Sequence, residues 1–421
     1  MPLNDIVIVG AGQAGLQVAA SLRQAGFEGR IRLVGDEAGL PYQRPPLSKA
    51  FLKGDGDPGS LSLRNAEFFD KQRIELLDGE TVAAIDRTAR KAILGSGKAL
   101  DYDRLVLATG ARNRALPVPG GDHPDLAELR SLDHAVALRA RLDGTKRIAI
   151  SGGGYIGLEI AATARDKGLE VVVCEALDRV MPRTASPALS AHVEEVHLAH
   201  GVELQLGAGI AAIATDGSGA IAGVETGDGG RIDADLVLVG IGILPNVELA
   251  AAAGLDTDNG IVVDAFLRTA DPTIFALGDC AAFPATDFGG GALPGRIRLE
   301  SVQNAVDQAK CVVQNILGAP QRYDAVPWFW SDQFDMKIQI AGLTAGADRS
   351  IARLDAEKGR LTVYAFRQGR LAGVETVSNP GDHMACRRLI AERLSPSPDD
   401  VEAEGFSLKA FLLQHRSRPG A

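Results

Sequence analysis

At 421 residues, with 46% hydrophobic and 23% charged residues, the chain is an ordinary globular sequence long enough for roughly two to four domains, which excludes a fibre, a coiled coil or a disordered segment. The net charge of -10, with no basic block or aromatic-interleaved basic stripe, argues against a nucleic-acid partner, and the apolar runs are too short or too glycine-broken to span a membrane. Four scattered cysteines, Cys174, Cys280, Cys311 and Cys386, give no CxxC and no Cys/His metal spacing, so inert thiols in a reducing compartment and no metal site are expected.

The opening Met1-Pro2-Leu3-Asn4-Asp5 moves straight into a strand with no leader-like segment, which leads us to expect a cytoplasmic protein. The strand, 6–9, runs into Gly10-Ala11-Gly12-Gln13-Ala14-Gly15 and then an amphipathic stretch free of proline. Glycines at this spacing allow a tight turn, let backbone N–H groups and a helix N-terminus approach a pyrophosphate, and let helix pack on strand. The next strand, 31–34, ends in Gly35-Asp36-Glu37, where a carboxylate can accept from both ribose hydroxyls of an adenosine. Asp36 is the first candidate and Glu37 its close competitor. The proline-rich Leu40-Pro41-Tyr42-Gln43-Arg44-Pro45-Pro46-Leu47-Ser48-Lys49 predicts a stiff loop above the sheet, able to hold Lys49 against a cofactor ring. An apolar strand at 105–108 then stops in Thr109-Gly110, and Leu116-Pro117-Val118-Pro119-Gly120 reads as a crossover.

A second copy of the first pattern follows. Strand 148–150 leads into Ser151-Gly152-Gly153-Gly154-Tyr155-Ile156-Gly157-Leu158-Glu159, and strand 171–174 ends in Glu175. One such turn is weak evidence, but two, each followed by an acid-ended strand, predict two dinucleotides. The strand 236–239, stopped by Gly240-Ile241-Gly242, repeats the design of 105–110, so the halves are built alike. Segments 179–190 and 285–295 read as loops. Pro272-Thr273-Ile274-Phe275-Ala276-Leu277-Gly278-Asp279 is a further strand ending in an acid, and Ser301 predicts the N-cap of a helix over 302–317. From Trp328 onward short alternating strands, such as 337–341 and 361–366, and a helix at 383–394 predict a separate α+β domain. All seven histidines fall outside these motifs.

The chain resembles the FAD-containing, NADH-dependent ferredoxin reductases of bacterial oxygenase systems over nearly its whole length. The resemblance rests on Arg44-Pro45-Pro46-Leu47-Ser48-Lys49, Leu107-Ala108-Thr109-Gly110, the second glycine turn, Gly240-Ile241-Gly242 with Pro245-Asn246, Gly278-Asp279-Cys280, Glu300-Ser301-Val302 and Pro327-Trp328-Phe329-Trp330-Ser331-Asp332-Gln333. It implies an α/β fold with two Rossmann-like, glutathione-reductase-like domains and a C-terminal α+β domain. The FAD domain would be discontinuous, 1–112 and 246–326, around an NADH domain at 113–245, with the third domain at 327–421. One tightly bound FAD per chain is implied, with NADH as co-substrate and a [2Fe-2S] ferredoxin, feeding a P450 or a Rieske-type oxygenase, as electron acceptor.

For FAD the resemblance implies Gly10, Gly12, Ala14, Gly15, Asp36 or Glu37, Arg44, Lys49, Val82, Thr109, Gly110, Arg130, Asp279, Ser301, Val302 and Trp330. For NADH it implies Gly152, Gly154, Tyr155, Ile156, Gly157, Glu159, Glu175, Arg183 and Gly242. Lys49, Pro45, Glu159 and Trp330 would serve the reaction: Lys49 beside the reduced flavin, Glu159 and Pro45 at the nicotinamide, and Trp330 over the flavin or along the electron path, unless it packs as a core residue. Glu159 would sit in the first turn of its helix, where the dipole favours a carboxylate, and accept from the nicotinamide carboxamide. Glu175 would repel a 2′-phosphate and so select NADH, although Arg183 could accept one. The ferredoxin would dock near Lys310, Lys337, Lys409 and Arg64, and the protein would be a monomer or a weak dimer. Two other readings share the fold. A disulfide reductase would need a redox cysteine near 40–44, which is missing; an NADH-binding sensor or assembly factor resembling apoptosis-inducing factor shares the Arg44 to Lys49 motif.

Overall fold

The computed structural model describes residues 3–285, 288 and 293–416. Two five-stranded parallel sheets carry the first three quarters of the chain. In the first, Asp5–Val9 lies at the centre, flanked by Arg30–Gly35 and Ile74–Asp78 on one side and by Arg104–Leu107 and Ile274–Ala276 on the other. In the second, Arg147–Ser151 lies at the centre, flanked by Glu170–Glu175 and Val202–Leu206, and by Leu236–Val239 and Ala127–Glu128. The strand orders correspond one to one, as the matched glycine turns predict. Central strands of both sheets are apolar at nearly every position because both faces are covered: in the second sheet, Ile148, Ile150 and Leu238 pack on the helix residues Leu138 and Ile160, while Ala149, Val172 and Val237 pack on the strand residues Ile213, Val224 and Ile232.

Each half also carries a small antiparallel sheet that hydrophobic patterning did not reveal. Val82–Asp86, Lys91–Leu94 and Ala99–Asp101 form one, and Ile210–Thr215, Ile221–Thr226 and Arg231–Asp233 form its counterpart. The chain passes between the halves on Ala111–Asn113 and Ile243–Pro245, which pair antiparallel. The strand after the crossover returns to the first sheet, so that sheet is assembled from segments on either side of the second.

The C-terminal sheet is antiparallel, in the order Trp328–Gln333, Met336–Gly342, Arg370–Val377, Arg360–Arg367, Arg349–Asp355. One face packs Tyr364, Phe366 and Val374 against Leu389 of helix Pro380–Ala391 and Leu412 of helix Leu408–Arg416. The other packs Met336, Ile338, Val363 and Val377 against Leu158, Leu189 and Val193 of the second half. Each such side chain contributes roughly 1.5–3 kcal/mol of apolar transfer, so this domain is fixed on the helices of the second half. Glu375, 1% exposed, adds a polar clamp: its carboxylate accepts from the backbone N–H of Ser186 at 3.0 Å and from the Ser186 hydroxyl at 2.5 Å.

Helix Pro187–Ala199 corrects the loop expected at 179–190. Ser186 caps it by accepting from the Leu189 N–H, and Pro187 occupies its first turn, where a missing N–H costs nothing. The 40–49 loop likewise contains a 3-10 turn, Pro45–Ser48, followed directly by the short helix Ala50–Lys53. Of the loop expected at 285–295, residues 286, 287 and 289–292 lie outside the described residues. All four cysteines are buried, and burial pushes the Cys174 thiol up to about 11 and the Cys311 thiol up to about 12, which suits inert side chains.

Candidate functional site

The two glycine turns divide their work among the glycines in the same way. Gly10 and Gly152 have φ of 107° and 106°, and a Cβ there would lie 2.1 Å from the Ala108 carbonyl oxygen or 2.5 Å from that of Gly240. Gly15 and Gly157 let helix touch strand, since a Cβ would fall 1.9 Å from the Gly10 oxygen or 2.2 Å from the Gly152 oxygen. Gly12 and Gly154 differ: nothing lies within 4 Å of an added Cβ, and both have ordinary extended φ of -80°. The open glycines are also the N-caps of helices Gln13–Gln24 and Tyr155–Asp166, which have no side-chain cap and no acid in the first turn. Open space beside uncapped N–H groups at a helix N-terminus fits an anion in both places.

The acids beyond the second strands differ in their commitments. Glu37 accepts from Tyr42 and from Arg44, whose guanidinium also donates to the Arg130 carbonyl at 2.5 Å. Asp36 is exposed and has no hydrogen-bond or ion-pair partner among the described residues, which leaves it, rather than Glu37, free to take a ribose. Glu175 accepts from the Gly153 N–H at 2.8 Å and the Leu177 N–H at 3.0 Å, so it braces the second turn from below.

The third strands of each sheet end close to these turns. Thr109 donates to the Asn246 carbonyl at 2.7 Å, and the Asn246 amide returns a bond to the Thr109 carbonyl at 2.9 Å, locking the crossover beside Gly110. Asp279 follows Gly278, whose would-be Cβ lies 3.3 Å from Ala14, and pairs with Arg130 at 3.2 Å. Helix Val302–Ile316 is capped by Ser301, which accepts from the Asn304 N–H, and it packs along Gln13–Gln24. Gln308 of that helix accepts from the buried Gly278 N–H at 2.7 Å. Val82, at the start of its strand, is half-buried. In the second half, the Arg183 guanidinium lies 3.0 Å from a Cβ built on Gly242, and Ile156 is 46% exposed at the open helix end, an apolar surface beside Gly154.

Glu159 joins the two halves from the second turn of helix Tyr155–Asp166, not from the first turn where it was expected, because the helix already begins at Tyr155. It is 3% exposed, and its Oε1 pairs with Lys49 Nζ at 2.8 Å and accepts from Ser331 Oγ at 2.6 Å, while Oε2 accepts from Ser48 Oγ at 2.5 Å. Ser48 and Lys49 end the turn begun by Pro45, which occupies its first position. The sequence pointed to Lys49 and Glu159 separately; it gave no reason to pair them and did not single out Ser48 or Ser331 as ligands. Tyr155 stacks at a tilt on Phe329 with centroids 4.6 Å apart, tying the same helix to strand Trp328–Gln333. Alternation along that strand places Trp328 and Trp330 on the opposite face from Phe329 and Ser331. Trp330 is half-buried, 5.5 Å from the Trp328 ring, and the strand contacts helices Tyr155–Asp166 and Val302–Ile316. Lys310, Lys337, Lys409 and Arg64 are all exposed; Lys310 is 3.7 Å from Asp307 and Arg64 lies over the Phe68 ring.

Residues 4–309 match the pyridine nucleotide-disulphide oxidoreductase family and residues 328–412 match the reductase C-terminal family. Rhodocoxin reductase of Rhodococcus erythropolis is 49% identical over 416 residues, covering 98% of this chain and 95% of its own. The ferredoxin reductase of the CYP199A2 system from Rhodopseudomonas palustris superposes with a TM-score of 0.93 at 47% identity, over 97% of this chain and all of the other. The reductase in the covalent putidaredoxin reductase–putidaredoxin complex superposes with a TM-score of 0.93 at 40% identity, over 99% and 100% of the two chains.

Proposed function

The chain belongs to the pyridine nucleotide-disulphide oxidoreductase family, and on that premise we infer that it is an NADH-dependent ferredoxin reductase serving an oxygenase system. The observation that carries the reading is the pair of open, uncapped glycine turns, one in each parallel sheet, with Lys49 of the first half paired to Glu159 on the helix of the second turn. Gly10, Gly12, Ala14 and Gly15 would hold the pyrophosphate of a resident FAD, with Asp36 at its ribose and Thr109, Gly110, Arg130 and Asp279 along its length. Arg44 acts through Glu37 and the Arg130 carbonyl, and Val82 lines the adenine end. FAD, when bound, supplies a centre that takes a hydride as an electron pair and releases the electrons singly.

The protein groups position and polarise. The capped N-terminus at Ser301 and Val302 would bring partial positive charge to where the reduced ring carries negative charge, and Lys49, paired with Glu159, would stand beside it. Gly152, Gly154, Tyr155, Ile156, Gly157 and Gly242 would bind NADH, with Glu159 accepting from its carboxamide and Pro45 backing the ring. Glu175 favours NADH over NADPH because a second anion would face its carboxylate; Arg183, beside Gly242, offers the opposing pull. No histidine is placed to move a proton, and hydride transfer needs positioning rather than acid–base work.

The electron acceptor would be a [2Fe-2S] ferredoxin docking near Lys310, Lys337, Lys409 and Arg64, with Trp330 between the cofactor and the partner. The protein would act in the cytoplasm as a monomer or weak dimer, with one tightly held FAD per chain and domains at 1–112 with 246–326, 113–245 and 327–421. Anaerobic mixing of the FAD-loaded protein with NADH should reduce the flavin rapidly, and addition of a [2Fe-2S] ferredoxin should give turnover. A slow, long-lived NADH complex without ferredoxin turnover would refute the reductase reading and support a redox sensor.

A further inference from the structure

Behind Glu159 lies a buried chain of hydrogen bonds that the reaction as described does not use. Ser331 Oγ is 2.6 Å from Glu159 Oε1, Gln333 Nε2 is 3.2 Å from Ser331 Oγ, and Gln333 Oε1 is 2.9 Å from His197 Nε2. Ser331, Gln333 and His197 are each 0% exposed. The direction of every proton follows from the first member. A carboxylate only accepts, so Ser331 donates to Glu159; its hydroxyl, with that proton committed, accepts from the Gln333 amide. That turns the Gln333 carbonyl to His197, so Nε2 carries the imidazole proton and Nδ1 is bare. Nδ1 is buried without a partner among the described residues, and its ring packs edge-on to Phe334 at 5.0 Å. Burial lowers the His197 pKa to about 4, so the ring is neutral at ordinary pH.

All the donors point toward Glu159, and aligned bonds of this kind polarise one another. The chain also crosses between domains twice: His197 lies on Pro187–Ala199, Ser331 and Gln333 on Trp328–Gln333, and Glu159 on Tyr155–Asp166. We propose that Ser331, Gln333 and His197 are positioning residues that hold the Glu159 carboxylate toward the nicotinamide, so that the C-terminal strand is part of the hydride-transfer site. The proposal rests on the assignment of Glu159 to the nicotinamide carboxamide. It gives one strand two tasks on its two faces, with Ser331 and Gln333 serving the NADH side while Trp328 and Trp330 face the other way.

The test is anaerobic stopped-flow reduction of FAD-loaded Ser331→Ala and Gln333→Met by NADH, alongside Glu159→Gln and the hydroxyl-preserving Ser331→Thr. Loss of one hydrogen bond to a charged group should raise the NADH dissociation constant, or lower the limiting reduction rate, about tenfold in Ser331→Ala, with recovery in Ser331→Thr. Gln333→Met should move the same parameter in the same direction. Wild-type NADH kinetics in Ser331→Ala, with only a lower melting temperature, would overturn the proposal, provided Glu159→Gln is impaired. Wild-type kinetics in Glu159→Gln would instead remove the assignment beneath it. A measurement on the unmutated holoprotein stands apart from variant folding. With ¹⁵N-labelled histidine, His197 should show the Nε2–H tautomer and its resonances should move when NAD⁺ is added. An Nδ1–H tautomer, or resonances indifferent to NAD⁺, would overturn the chain.

Discussion

Gly154→Ala should leave the fold intact and damage only NADH use. Residue 154 has φ -80° and ψ 177°, which alanine adopts freely, and no atom lies within 4 Å of the new Cβ. Alanine is a poorer N-cap than glycine by about 0.5 kcal/mol or somewhat more, while the stiffer unfolded chain returns about 0.4–1 kcal/mol, so the net change in stability is near zero. The methyl group instead occupies the space a pyrophosphate would take. Losing one backbone bond to a charged group removes about 1.5–3 kcal/mol, which at about 1.4 kcal/mol per decade raises KM for NADH roughly 10- to 100-fold. Gly157→Ala is the contrast: its Cβ would stand 2.2 Å from the Gly152 oxygen, so the backbone must move, at a cost of about 1–3 kcal/mol or more. Thermal melts and NADH-dependent flavin reduction, measured on both variants with FAD content checked, separate the two effects. A melting point for Gly154→Ala that falls as far as that of Gly157→Ala, or an unchanged KM, would refute the division of labour within the turn.

Other perturbations act on charge. His197 titrates near 6.5 when unfolded and at about 4 when folded, because burial disfavours its charged form. The unfolded state therefore binds the extra proton first, and its contribution to stability is complete above pH 6.5 and lost as pH falls toward 4, on the order of 3 kcal/mol in all. Denaturant titrations across that window should flatten in His197→Gln; an unaltered slope would show that another group governs it. Glu175→Ala should raise kcat/KM for NADPH relative to NADH by about tenfold, and an unchanged ratio would take Glu175 out of cofactor selection. Reduction of a [2Fe-2S] ferredoxin should slow as salt rises, and Lys310→Glu should raise KM for the ferredoxin several-fold; indifference to both would move the docking face elsewhere.

Much of the fold could be read along the chain because its signals are local. An apolar run stopped by glycine marked the strand Leu236–Val239 where it is found, and Ser301 marked the start of Val302–Ile316. The small antiparallel sheets escaped notice because strands such as Val82–Asp86, with the sequence Val-Ala-Ala-Ile-Asp, lack the alternation of apolar and polar residues that marks a half-buried strand. Helix Pro187–Ala199 was missed: Ser186-Pro187 is a start signal for it, but 179–190 read as a loop.

By itself the sequence determined the twin strand–glycine–helix units, because turn geometry and helix caps depend on residues a few positions apart. It also carried both members of the ion pair, Lys49 and Glu159, without bringing them together. Tertiary structure alone decided that Ser48, 111 residues away, and Ser331, 172 residues away, close on the same carboxylate, and that Glu37 is committed to Arg44 while Asp36 is free. The reason is physical: a buried charge must find donors wherever packing delivers them, and which donors arrive is set by how the three sheets and their helices pack together.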